Sequence, residues 1–141
     1  MNLYFDTSAL IKKYIDESGS EIVDNLVIEA DTILVSRITE IETISTLRRL
    51  LLEKEISEID YKNLKIEIEK DFNSFEVIEI DFEIINKAKN MIDKYQLKSL
   101  DSIQLGTLLS IENIVDKFIV CDKKLLESSK KEGFKVFNPN E

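Results

Sequence analysis

No histidine occurs anywhere in the 141 residues of this chain, and that absence narrows its chemistry more than any residue present. It removes Ser-His-Asp and Cys-His groupings, imidazole acid–base pairs and most zinc sites. A single cysteine, Cys121, excludes an internal disulfide and fits a reducing cytoplasm. Lying in an apolar run, it reads as a small core hydrophobe and not as a nucleophile. One proline, Pro139, and three glycines leave no linker rich in either. With no internal repeat and no low-complexity tract, residues 1–141 read as one domain, long enough to bury a core without a disulfide or structural metal. Long apolar runs are missing too: nothing approaches a membrane span, and the N-terminus lacks the basic region and apolar core of a signal peptide. The expectation is a cytoplasmic chain with no membrane partner. Positive charge is also scarce, 19 Lys and Arg against 28 Asp and Glu, for a net charge of −9. That is the wrong sign for gripping nucleic acid over a broad basic face by counterion release. Any action on nucleic acid must then use metal ions or a local lysine stripe.

What is present has the rhythm of alternating strands and helices, in an ordinary globular composition of 43% hydrophobic and 33% charged residues. Leu3, Tyr4 and Phe5 form a short apolar run that stops at Asp6, followed by the hydroxyls of Thr7 and Ser8. Leu10, Ile11, Tyr14 and Ile15 then recur at helical spacing. Ser18-Gly19-Ser20 breaks the pattern, with Ser20 as the cap of a helix over 21–29. Residues 32–35 read as a second strand, and Ser36 caps a long helix carrying Ile38, Ile41, Ile44, Leu47 and Leu51. Ser57 with Asp60 has the spacing of a capping box for a helix to about Phe72. The third strand is expected over 76–80, and Asp81 caps a helix ending near Tyr95. Ser99 starts and caps the next helix, 118–121 is a fourth strand, and Asp122 caps a helix through Glu132 that Gly133 stops. Residues 134–137 give a last strand. This order predicts an α/β fold: a mostly parallel five-stranded sheet between two helical layers, with a two-helix excursion between strands two and three.

In such a sheet, groups just past the carboxyl ends of the strands face a shared crevice. Asp6 follows strand one and Asp122 strand four. Glu42 lies in the second turn of the helix after strand two, and Asp101 in the first turn of the helix begun by Ser99. Together, four carboxylates would repel by several kcal/mol at an effective dielectric near ~20 unless a cation sits among them. Mg²⁺ or Mn²⁺ suits an all-oxygen donor set. Taken singly, each has a structural explanation. Asp122 is a plausible helix cap, Asp101 an answer to the helix dipole, and Asp6 a strand-end cap, although Thr7 and Ser8 stand ready for that task. Periodicity does not choose between Glu42 and its neighbour Glu40.

The combination is more specific than its parts. Phe5-Asp6-Thr7-Ser8-Ala9-Leu10, then Ser36-Arg37-Ile38-Thr39-Glu40-Ile41-Glu42 with Ser45 and Arg48, then Leu100-Asp101-Ser102-Ile103-Gln104-Leu105, then Phe118 to Leu125 with Gly133 and Pro139, closely resembles the PIN-domain family along essentially the whole chain. In particular it is similar to the VapC-like toxin ribonucleases of type II toxin–antitoxin pairs. The resemblance implies a three-layer PIN-like sandwich, and it places the family's acidic positions at Asp6, Glu42, Asp101 and Asp122, so it selects Glu42 over Glu40. These four would be the catalytic groups and the ligands of one or two Mg²⁺ or Mn²⁺ ions, with Thr7 and Ser8 supporting the site or the substrate phosphate. It further implies an RNA substrate, a cognate antitoxin and a homodimer. Leu50, Leu51, Leu52, Ile56 and Ile59 are more apolar than one packed face needs. Gln104 stands where many relatives carry histidine.

Two other readings compete. One is a PIN-like module that binds RNA or protein without cutting, against which the intact acidic set argues. The other is a phospho-acceptor domain using Asp81, which would expect an acidic pair after strand one and leaves Glu42 and Asp101 without a role. Lys123, Lys124, Lys130, Lys131 and Lys135 form the one basic-leaning stretch, with Lys12 and Lys13 as a possible extension; either a solvated helix face or a path for a nucleic-acid backbone accounts for it.

Overall fold

The computed structural model describes residues 1–141. Five strands, β1 (Asn2–Phe5), β2 (Thr32–Ser36), β3 (Glu76–Ile78), β4 (Lys117–Ile119) and β5 (Val136–Phe137), form one sheet in the order β3-β2-β1-β4-β5. Every neighbouring pair is parallel. The first strand is thus the central one, which its apolar run left open. From β1 the chain winds outward through β2 to β3, then crosses back to lay β4 against the other side of β1. The winding direction reverses between β1 and β4, where the carboxyl ends of the strands part to leave a crevice.

Side-chain alternation along the strands divides the core in two. Leu3, Phe5, Val35 and Ile119 face one layer, with Ala9, Leu10, Val23, Leu47, Leu50, Ile68 and Phe72 packed on them. Tyr4, Leu34 and Phe118 face the other, against Met91, Leu97, Leu105, Leu108 and Leu125. The first layer holds α1 (Thr7–Leu10), α2 (Ser20–Glu29) and the hairpin of α3 (Arg37–Leu52) and α4 (Glu58–Ser74). The second holds α5 (Phe82–Tyr95), α6 (Ser99–Ser110) and α7 (Lys123–Lys131). The α3–α4 hairpin is the expected excursion between strands two and three.

Local chemistry explains most element ends. Ser57 and Asp60 form the reciprocal capping box. Asp81 accepts from the Ile84 N–H, and Asp122 from the Leu125 N–H. Gly133, at φ +98, follows α7 as its stop. Several expectations need correction. α1 is a single turn, continued by a 3-10 turn over Ile11–Lys13, instead of one helix reaching Ile15. Its cap is Asp6, whose carboxylate accepts from the Ala9 N–H at 3.1 Å, because Thr7 and Ser8 turn their hydroxyls to other partners. Gly19, not Ser20, precedes α2: at φ +90, with a Cβ there 2.9 Å from the Pro139 carbonyl, only glycine fits, and the Ser20 hydroxyl instead joins the Glu17 N–H to the Ile15 carbonyl. Ser99 begins α6 without capping it; Lys98 occupies the cap position with no side-chain bond. The third and fifth strands are also shorter than 76–80 and 134–137, and the fourth runs 117–119. Glu79 leaves β3 to pair with Arg37, and the Phe134 N–H turns back to Ser129.

Candidate active site

β1 ends at Asp6 and β4 leads to Asp122, the two strands that flank the crevice. Ser8 joins them. Its hydroxyl lies 2.8 Å from both Asp6 carboxylate oxygens and accepts the N–H groups of Cys121 at 3.0 Å and Asp122 at 3.3 Å. One side chain thereby fixes the Asp6 rotamer and ties the end of β4 to the end of β1. Asp6 is 4% exposed. Burial pushes its carboxyl up to about 7, with the charges of Asp122 and Glu42 pushing the same way against the Ser8 and Ala9 hydrogen bonds.

The other wall comes from α3 and α6. Thr7 donates to Glu42 Oε1 at 2.8 Å, and Gln104 Nε2 donates to the same oxygen at 3.2 Å and to Thr39 Oγ1 at 2.8 Å. Gln104 is itself held by the Tyr4 hydroxyl, which donates to its Oε1 at 2.6 Å. This buried network leaves Glu42 Oε2 with no hydrogen bond from the protein. Glu40 behaves differently: it turns to Arg37, at 3.1 Å, beside the Arg37–Glu79 pair. Gln104 is the residue the sequence reading undervalued. A polar residue between Ile103 and Leu105 was the signal available for it, and the structure shows the side chain buried.

Asp101, half-buried at the start of α6, accepts no hydrogen bond from the protein. Its carboxyl is raised first by burial and then by the charges of Asp122 and Glu42, opposed by Lys98 and Lys124. Asp6, Glu42, Asp101 and Asp122 therefore act on one another electrically across the crevice. As the side chains stand, no three of them converge closely enough to encage one ion. Asp6, Glu42 and Asp122 each take up neutral donors beside them, which holds the like charges apart. The donor set is nonetheless that of a hard divalent cation: carboxylates and hydroxyls, one carboxylate buried and one without a partner, with no imidazole. Thr7 and Ser8 direct their hydroxyls at carboxylates, which makes them props of the acidic groups. Cys121, half-buried against the core, has its thiol pushed up to about 11 by burial, which suits an inert side chain.

A family model described as PIN domain matches residues 3–127 of the chain. No curated protein matches it. Among solved structures, a toxin–antitoxin complex from Klebsiella pneumoniae is 18% identical with a TM-score of 0.71, over 97% of this chain and 97% of that one. FitAcB from Neisseria gonorrhoeae is 15% identical with a TM-score of 0.73, over 97% of each chain. VapC20 of Mycobacterium tuberculosis, described as a sarcin-ricin-loop-cleaving toxin, is 12% identical with a TM-score of 0.69, over 94% of this chain and 95% of that one.

Proposed function

Since this chain belongs to the PIN-domain family, we propose that it is a Mg²⁺- or Mn²⁺-dependent endoribonuclease, the toxin of a toxin–antitoxin pair. The observation that carries the reading is the set Asp6, Glu42, Asp101 and Asp122 around one crevice, with Asp6 buried and Asp101 unpartnered. Such a set opposes folding on its own and has a purpose where positive charge is brought to it. The related structures add weight to the partner: one is a toxin–antitoxin complex and another a loop-cleaving toxin. A cognate antitoxin and a homodimer are part of the same proposal. Leu52 and Ile59, both about 70% exposed at the turn of the α3–α4 hairpin, are apolar surface that a protein partner would cover. Leu50 and Ile56, by contrast, are absorbed by the core.

Asp6, Asp101 and Asp122, which stand apart in this structure, would have to turn toward one another to hold the ion, with Glu42 as a further ligand or the group that orients water. The ion supplies acidification of water and neutralisation of phosphate charge. The protein's own groups do the rest. Glu42, clamped at Oε1 by Thr7 and Gln104, offers the free Oε2 to a proton of the attacking water. Water adds to phosphorus, the P–O3′ bond breaks, the departing O3′ takes a proton from solvent water, and the products are a 5′-phosphate and a 3′-hydroxyl. Ser8 keeps the Asp6 carboxylate aimed and the two strand ends at a constant separation. Purified protein is expected to cut single-stranded RNA with Mg²⁺ or Mn²⁺, to stop on adding chelator, and to lose activity by at least about a hundredfold as Asp6→Asn. Cleavage that survives both treatments overturns the mechanism.

A further inference from the structure

The lysines of this acidic chain are not spread evenly. Lys94 at the end of α5 and Lys123, Lys124 and Lys131 of α7 line one cleft of about 510 Å³ together with Tyr95, Gln96, Glu127 and Ser128. Lys124 Nζ is anchored at 2.8 Å on the Gln96 carbonyl, and Lys94 pairs with Glu132 at 2.7 Å. Lys123 and Lys131 are exposed and make neither a hydrogen bond nor an ion pair with the protein. The expected stripe is thereby redrawn. Lys12, 5% exposed, is spent on Glu17 and the Ser18 carbonyl, Lys13 on Asp71, and Lys135 lies on a different cleft. Lys94, remote in sequence, joins instead.

Lys130 and Lys131 at the end of α7 answer its dipole, which is explanation enough for them. Lys123 and Lys124 have no such excuse. They occupy the first turn of the helix, the positive end of the dipole, and no acidic residue shares that turn. A local rule broken in this way points to a function for the charge. The position supplies one. Lys123 directly follows Asp122, and Lys124 with Lys98 is close enough to Asp101 to act on its carboxyl.

We propose that this cleft binds the phosphate backbone of single-stranded RNA on one side of the scissile bond, leading the strand from Lys131 past Lys123 and Lys124 to the carboxylates. The ligand's identity rests on the nuclease reading; the cleft itself is argued from charge and position. A negatively charged chain can capture RNA if positive charge is concentrated where the strand must lie.

The test is the double variant Lys123→Ala/Lys131→Ala, chosen because neither side chain makes a hydrogen bond or an ion pair with the protein and the dipole contribution of Lys131, at an exposed helix end, is small. A fluorescein-labelled single-stranded RNA of about a dozen nucleotides is titrated by anisotropy in Mg²⁺ against protein carrying Asp6→Asn, which prevents cleavage. The double variant is expected to bind about tenfold more weakly, and the slope of log K against log salt to shrink by roughly 1.4, about 0.7 per lost phosphate contact. In protein with Asp6 intact, KM rises by a similar factor and kcat stays within about twofold. A control pair of equal charge change on α4, Lys62→Ala/Lys70→Ala, leaves both readings unchanged. Unaltered binding and slope in Lys123→Ala/Lys131→Ala, or an equal loss in the control, overturns the proposal. Normal cleavage with unaltered binding sinks the cleft and spares the nuclease; cleft-dependent binding by a protein that never cuts sinks the nuclease and spares the cleft.

Discussion

At the scale of single residues, the division of labour between Glu40 and Glu42 shows how position within one helix decides chemistry. The two are equally acidic and two residues apart, which on a helix is about 200° of rotation. Glu42 faces the crevice and is held by Thr7 and Gln104, while Glu40 reaches back to Arg37. Glu42→Gln is therefore expected to lower kcat at least about a hundredfold, whereas Glu40→Gln stays within about twofold and shifts stability by less than about 0.5 kcal/mol. Equal damage from both, in cleavage assays on the purified variants, would show the assignment on α3 to be wrong. The sequence left this pair open; only the resemblance chose between them, since residues at the margin of an apolar stripe carry no sign of which neighbour they will meet.

At the scale of elements, the placement of Asp101 and Gln104 depends on how closely α6 lies on α5. Gly106 makes that approach possible: a Cβ there would sit 2.8 Å from the Ile84 carbonyl oxygen and 3.0 Å from the Ala88 nitrogen, both backbone atoms that cannot swing aside. Gly106→Ala gains about 1 kcal/mol of helix propensity, but forcing two helices apart costs roughly 1–3 kcal/mol and more where backbone is struck. The net expectation is a lower melting temperature despite the better helix former, read by thermal unfolding; a raised one would mean the helices yield without cost. Elements were the most legible level of the sequence. Apolar spacing and the caps Ser36, Ser57, Asp81 and Asp122 mark most helices where the structure has them. The misses fall at α1, α2 and the start of α6: the hydroxyls of Ser8 and Ser20 have long-range or loop partners that no local pattern announces, and Lys98, not Ser99, stands at the cap position of α6.

At the scale of the whole molecule, the net charge of −9 favours uptake of divalent cations by the folded chain, and under the proposed function the same cation would serve both fold and chemistry. A ligand that binds only the folded state adds about 2.7 kcal/mol at a hundred times its dissociation constant. Mn²⁺ or Mg²⁺ is thus expected to raise the melting temperature of the chain by several degrees, and Asp6→Asn to abolish most of that rise while folding normally without metal. An equal rise in both proteins would indicate general screening of surface charge and not a site. No helix is long and apolar enough to cross a membrane.

The amino-acid sequence determined by itself which segments become strands and helices, that the sheet would be parallel and covered on both faces, and that the available acids and bases are carboxylates and lysines. Those properties follow from local spacing and from composition. Only the tertiary structure decided that β1 is central, that the crevice opens between β1 and β4, that Ser8 lies beside Cys121, 113 positions away, that Gln104 lies beside Thr39 and Glu42, 65 and 62 positions away, and that Lys94 joins the lysines of α7. The reason is physical: a hydrogen bond or a Coulomb interaction depends on distance in space, which strand order and the packing of α6 on α5 set and no single stretch of sequence contains.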